Sequence, residues 1–175
     1  MKKLTTILLT TMIYVACPHA EAQIFDDYFE DATLRLDYIF AGNSKKQNIY
    51  LESMKKQEIW AGRKSRLAEK FLNGNGQVTV KDHSSQEVIY VTTFSTLFQE
   101  WLLQEEANKV DKAFETSYNI PFPKKDIDVT ITLTDNHQDV IAEMTHTVSP
   151  EDILIRKIGA NGIPFHYIWK GQQTP

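Results

Sequence analysis

Ile127, Val129, Ile131 and Leu133 alternate without a break with Asp128, Thr130, Thr132 and Thr134. A repeat of two puts every apolar side chain on one face of an extended chain, so the segment belongs in a sheet with one buried side. A helix would scatter the same residues around its axis. Asp135-Asn136-His137-Gln138-Asp139 follows and is rich in turn formers. Val140 to Val148 then resumes the alternation, with Val140, Ala142, Met144 and Val148 on one face and Glu143, Thr145 and Thr147 on the other. The pattern predicts a long antiparallel hairpin.

Other segments repeat it. Thr33–Phe40 places Leu34, Leu36, Tyr38 and Phe40 on one side, with Arg35 and Asp37 opposite. Ile49-Tyr50-Leu51, Val78-Thr79-Val80, Val88–Thr92, Ile153-Leu154-Ile155 and Phe165–Trp169 are similarly β-branched or aromatic, and Asn73-Gly74-Asn75-Gly76 marks a turn ahead of Val78. Many short strands at regular spacing imply a mainly β chain, an antiparallel β-sandwich. One stretch departs from this: Leu97, Trp101, Leu102, Val110 and Phe114 fall near helical spacing, which predicts a helical insertion around residues 96–112. Pro121-Phe122-Pro123 marks a loop or a sheet edge.

The N-terminus reads as an address. Lys2 and Lys3 precede the apolar run Leu4–Ala16, Pro18 breaks any helix, and Ala20-Glu21-Ala22 offers a small-x-small cleavage site. That is the order of a secretory signal over residues 1–22, with cleavage expected after Ala22, and the run is too short for a permanent membrane anchor. Cys17, with Ala16 before it, leaves lipidation as the competing outcome, against which stands Tyr14 where a bulky aliphatic residue is expected. The protein is therefore expected to be exported, to the periplasm, the cell surface or the medium. Losing 22 of 175 residues leaves 153, enough for one domain that buries about 68–70% of its unfolded surface. No cysteine remains to form a disulfide, a thiolate zinc site or a cysteine nucleophile.

Reactive constellations are scarce. With 19 Lys+Arg against 23 Asp+Glu and no basic cluster beyond a pair, nucleic acid is not an expected partner. The chain has no H-E-x-x-H, no G-x-S-x-G, no phosphate-binding loop and no G-x-G-x-x-G. His137 between Asp135 and Asp139 could gather a cation, but turn chemistry accounts for the same residues. His146 falls on the predicted buried face, as a hydrogen-bonded core or rim histidine, while His83 and His166 have no acidic neighbour that suggests a triad. Trp60, Trp101 and Trp169 could form a platform for sugar rings or fill the core, the commoner use of tryptophan in small β domains. No cofactor, metal ligand or catalytic residue is indicated, and no enzymatic activity is expected.

Several segments, taken in order, resemble one family. They are Phe25-Asp26-Asp27-Tyr28-Phe29, Thr33–Gly42, Trp60-Ala61-Gly62-Arg63, Gly74-Asn75-Gly76-Gln77, Phe94–Trp101, Phe114-Glu115 and Pro121-Phe122-Pro123-Lys124. Together they are similar to the N-terminal region of secreted zinc metallopeptidases related to the bacterial immunoglobulin A peptidase, from about Phe25 to Gly171. The resemblance implies a non-catalytic β-sandwich over residues 23–171, followed by a tail, 172–175. In that family a peptidase domain with the H-E-x-x-H zinc site comes next, and none of its zinc ligands has a counterpart here. The chain then corresponds to the N-terminal domain standing alone, packing on or assisting a zinc peptidase domain in trans, or engaging its protein substrate. The alternative is a self-sufficient binding module for glycan or host protein.

The matched residues are expected to be scaffold. Trp60, Phe98, Trp101 and Phe114 supply apolar burial, Gly62 and Gly76 supply backbone angles closed to other residues, and Pro121 and Pro123 punctuate an edge. Arg63, Glu100 and Glu115 are candidates for partly buried ion pairs.

Overall fold

The structure, a computed structural model, describes residues 25–159. Residues 1–22, read as a signal sequence, with Cys17, the Phe165–Trp169 segment with His166 and Trp169, and the 172–175 tail lie outside them.

A single helical turn, α1 (Phe25–Tyr28), leads into β1 (Phe29–Gly42), the first of eight strands among the described residues; after it come β2 (Gln47–Gln57), β3 (Gly76–Asp82), β4 (Val88–Phe94), β5 (Lys112–Pro123), β6 (Ile127–Thr134), β7 (Val140–Val148) and β8 (Ile155–Ile158). They form two four-stranded sheets, ordered β5-β1-β2-β8 and β4-β3-β6-β7. Every pairing is antiparallel except β2 with β8. The fold is a β-sandwich, as the alternation predicts.

Each inner face is the apolar half of an alternating strand. Leu34, Leu36, Tyr38 and Phe40 of β1 meet Val78 and Val80 of β3 and Ile127, Val129, Ile131 and Leu133 of β6 in one core, nearly all without exposed surface. Burying each such side chain is worth about 1.5–3 kcal/mol, which is what holds a disulfide-free sandwich together. Aromatic rings close the side where β4 faces β5: Phe94 stacks on Tyr118 with centroids 4.1 Å apart, and both rings lie against Phe40. Outside that edge, Val91 of β4 donates its N–H to Leu67 O at 2.9 Å, so the β2–β3 connection covers strand β4.

Three predicted features take a different form. The helical insertion exists in two short pieces, α2 (Leu97–Trp101) and a 3₁₀ turn (Glu105–Asn108), and Lys112 already belongs to β5. Its inward residues are Phe98, Gln99 and Ala107, whereas Leu97 is 71% exposed. Strand β5 takes Phe114 because pairing to β1 from Lys112 to Pro123 satisfies the backbone of both strands. Pro121 and Pro123 sit in this strand at the border of its sheet, where a missing N–H costs no ladder bond. At the C-terminal side Ile153 and Leu154 are exposed turn residues, and β8 begins only at Ile155. In the hairpin a register shift at Thr134 turns Val140 out to solvent, and Ile141 packs against the core in its place.

Candidate functional site

The loops at one end of the sandwich build a cleft of about 480 Å³. Four pieces of chain contribute: the β1–β2 turn, the approach to β3, the segment after α2, and the β6–β7 turn. Each is fixed locally. Gly42 takes φ +132° and lets Asn43 N bond Lys46 O at 2.9 Å, where a Cβ would run into the Lys46 carbonyl. Asp135 Oδ1 accepts from the backbone N–H of His137 at 2.8 Å and of Asp139 at 2.9 Å, so the acidic pair flanking His137 closes a turn. Among the described residues, no three His, Cys, Asp or Glu side chains are placed to share a metal ion.

Helix α2 plugs this end of the core. Phe98 has no exposed surface and packs on Phe40, Trp101 and Phe114. Its neighbour Gln99, 5% exposed, reaches across the cleft floor: its Nε2 donates to the carbonyls of Asn75 and Thr134, and its Oε1 accepts from Thr96 Oγ1 at 3.0 Å. Thr96 in turn caps the helix by accepting from Gln99 N at 3.2 Å. Asn75 and Thr134 are joined by a 2.9 Å bond from Thr134 N to Asn75 O. Both residues line the cleft, whereas their side-chain atoms Asn75 Oδ1 and Thr134 Oγ1 have almost no exposed surface and no hydrogen-bond partner among the described residues. Leu102, Leu103 and Ile141 complete the wall with aliphatic surface, and Leu103 is 70% exposed.

The residues singled out from the sequence divide around this cleft. Phe98, Trp101 and Phe114 form the plug beneath it, and Trp101 Nε1 donates to Glu106 Oε2 at 2.9 Å. Trp60 lies elsewhere, 7% exposed against Tyr90, with its Nε1 donating to Arg63 O at 3.0 Å. Neither tryptophan belongs to an exposed coplanar row.

Gly62 and Gly76 do not have the unusual backbone angles expected of them. What they lack is room, because a Cβ at Gly62 would overlap the Trp60 ring and one at Gly76 the Phe94 ring. Arg63 forms no ion pair among the described residues. Its guanidinium donates to the carbonyls of Leu67, Glu69 and Val91 and lies 4.6 Å from the Phe71 ring centroid, tying the β2–β3 connection to β4. Glu100 and Glu115 are exposed and make no ion pair among the described residues. Among the described residues the buried carboxylates are Asp37, on the outer face of β1, and Asp82, at the end of β3.

Two histidines have partners distant in sequence. His146 Nε2 lies 2.6 Å from Tyr38 Oη on the inner side of β7, and burial pushes its pKa below the ordinary value. At the far end, His83 Nδ1 lies 2.9 Å from Asp128 Oδ1, which also receives Thr147 Oγ1, while Gln86 Nε2 donates to Oδ2. Donation from Gln86 and then His83 pulls Asp128 down to about 2, and the same contact raises His83.

Fold and cleft together define a two-sheet β-sandwich domain whose loops shape a recess at one end. The chain belongs to the family described as the peptidase M64 N-terminus, whose profile matches residues 24–145. The match takes in every residue of the cleft and stops within β7, before β8. No curated protein matches the chain.

Proposed function

We propose that this chain is a non-catalytic accessory domain serving a secreted zinc metallopeptidase related to the immunoglobulin A peptidase, exported behind residues 1–22. It packs on such a peptidase domain or presents protein substrate to it. The family match across the sandwich carries this reading. The test is a mixing experiment between residues 23–175 and an isolated peptidase domain of the family. The expected result is a one-to-one complex in sedimentation and faster cleavage of folded protein substrates, with no chelator-sensitive cleavage by residues 23–175 alone. Chelator-sensitive hydrolysis by this chain alone overturns the proposal.

The end cleft favours a second reading, a self-sufficient binding module for host protein or glycan. Trp60 and Trp101 are engaged in packing, so that reading rests on the cleft and not on a tryptophan platform.

A further inference from the structure

We infer that the end cleft binds an extended polypeptide segment carrying an aliphatic side chain, with Asn75 and Thr134 reading its main chain and Leu103 meeting the side chain. The inference holds whether or not a peptidase domain acts with this chain.

It starts from the two orphaned atoms. A buried polar atom without a partner has given up water for nothing, and folded proteins pair nearly all such atoms. Here two such atoms, Asn75 Oδ1 and Thr134 Oγ1, belong to residues bonded to each other through their main chains, in the wall of one cleft. Neither atom makes a bond that would have to break. To meet a ligand, Thr134 turns about χ1 and the Asn75 amide about χ2, and this rotation is part of the inference. Gln99 meanwhile holds both backbone carbonyls, so the frame that carries the two side chains stays fixed.

The valences presented define the ligand. Asn75 Oδ1 accepts, and Thr134 Oγ1 donates or accepts. Side by side they complement the N–H and C=O of an extended peptide unit, each of which needs its own partner. Saturated carbohydrate offers hydroxyls to the same atoms, but sugar faces are held by stacking on aromatic rings. Among the described residues that line the cleft there is no Phe, Tyr or Trp, and its apolar wall is Leu102, Leu103 and Ile141. Such a wall accepts an aliphatic side chain. Among the described residues one cation, Lys45, and one carboxylate, Asp135, border the cleft, which favours neither a strongly acidic nor a strongly basic ligand. Its volume is within the range of sites that enclose a few residues of chain.

The experiment is a nitrogen-15 NMR titration of residues 23–175 with the blocked tripeptide acetyl-Ala-Leu-Ala-methylamide, and in parallel with methyl β-glucoside. Saturable shifts are expected with the tripeptide at Asn75, including its side-chain amide, and at Gln99, Leu103 and Thr134. Thr134→Val keeps the side-chain shape and removes only the hydroxyl, and Leu103→Ser alters a mostly exposed residue. Each is expected to weaken binding about tenfold, the worth of one lost bond or apolar contact, with an unchanged or slightly higher Tm. Absence of saturable shifts at these residues overturns the inference, as do shifts with the glycoside in place of the tripeptide. Wild-type affinity in Thr134→Val overturns the role given to the wall.

Discussion

Tyr38 Oη and His146 Nε2 meet at 2.6 Å across the interior, joining β1 of one sheet to β7 of the other. Burial holds the His146 pKa below its ordinary 6.5, with only Thr147 and the distant Asp128 pulling the other way. The folded chain therefore binds this proton less readily than the unfolded chain, and the stability due to neutral His146 is complete above about pH 6.5 and declines as the pH falls below it. His83 has the opposite sign, since Asp128 raises it, but its side chain is exposed. Calorimetry should show the Tm of the wild-type chain dropping between pH 7 and pH 5 more steeply than that of His146→Gln. Parallel pH curves for the two proteins would remove His146 as the source.

Gly76 is occupied from above by Phe94: a Cβ there would stand 2.7 Å from Phe94 Cδ2 and closer still to the ring edge. Its backbone requires nothing unusual, so the whole cost of Gly76→Ala comes from the ring, about 1–3 kcal/mol of overpacking. Phe94 cannot retreat freely, because it stacks on Tyr118 and Phe40. The double variant Gly76→Ala, Phe94→Leu is then expected to lose less than the sum of the two single changes in urea unfolding. Strict additivity would place the strain elsewhere.

The sandwich could be read from the chain because period-two patterns state which face is buried without reference to any neighbour. β3 and β6 obey that rule along their whole length, and β1 obeys it from Leu34 to Phe40. Strand β5 obeys it too, with Phe114, Thr116, Tyr118, Ile120 and Phe122 inward, but the helical spacing of Trp101, Leu102 and Phe114 and the two prolines obscured it. Local spacing could not weigh that short helix against twelve residues of pairing with β1. The cleft was harder to see. Thr96-x-x-Gln99 is a capping-box pattern that points at a helix start, yet nothing in it says that Gln99 reaches Asn75 and Thr134, 24 and 35 positions away. The aromatic series Phe94, Phe98 and Trp101 marked the plug, while the polar residue between them touches the site.

Asp37 shows how a strand can bury a charge on its outer face. Its side chain is 7% exposed, and its oxygens accept from Arg35 Nε, Ser53 Oγ and Ser117 Oγ, each at 2.7 Å, and from Lys55 Nζ. Burial alone would raise its pKa, but Lys55, Ser117, Ser53 and Arg35 together outweigh it and hold the carboxyl well below its usual range. The depressed value means stability that is present above about pH 4 and lost as the pH falls further. Asp37→Asn turns an amide N–H toward these donors and is expected to cost about 1–3 kcal/mol at pH 7. In denaturant unfolding, the gap between variant and wild type should narrow toward pH 2. An equal gap at both pH values would mean that shape and not charge is what Asp37 supplies.

Gln99 separates a donor requirement from a packing requirement. Its Nε2 serves two carbonyls that have lost water, so Gln99→Leu, of similar bulk, leaves both without that donor and is expected to cost about 1–3 kcal/mol. Gln99→Glu should cost more at neutral pH, because a carboxylate, 95% enclosed if it keeps the place of the 5%-exposed glutamine, would face two carbonyl oxygens with no proton to offer. Acid reverses part of that penalty: once protonated, the side chain regains a donor, and the variant should recover toward wild type as the pH drops below about 5. Urea unfolding of the three proteins at pH 7 and pH 4.5 reads this directly. If Glu is tolerated better than Leu at pH 7, Gln99 is held by its acceptor oxygen and Thr96, and the two carbonyls of the cleft floor depend on something else.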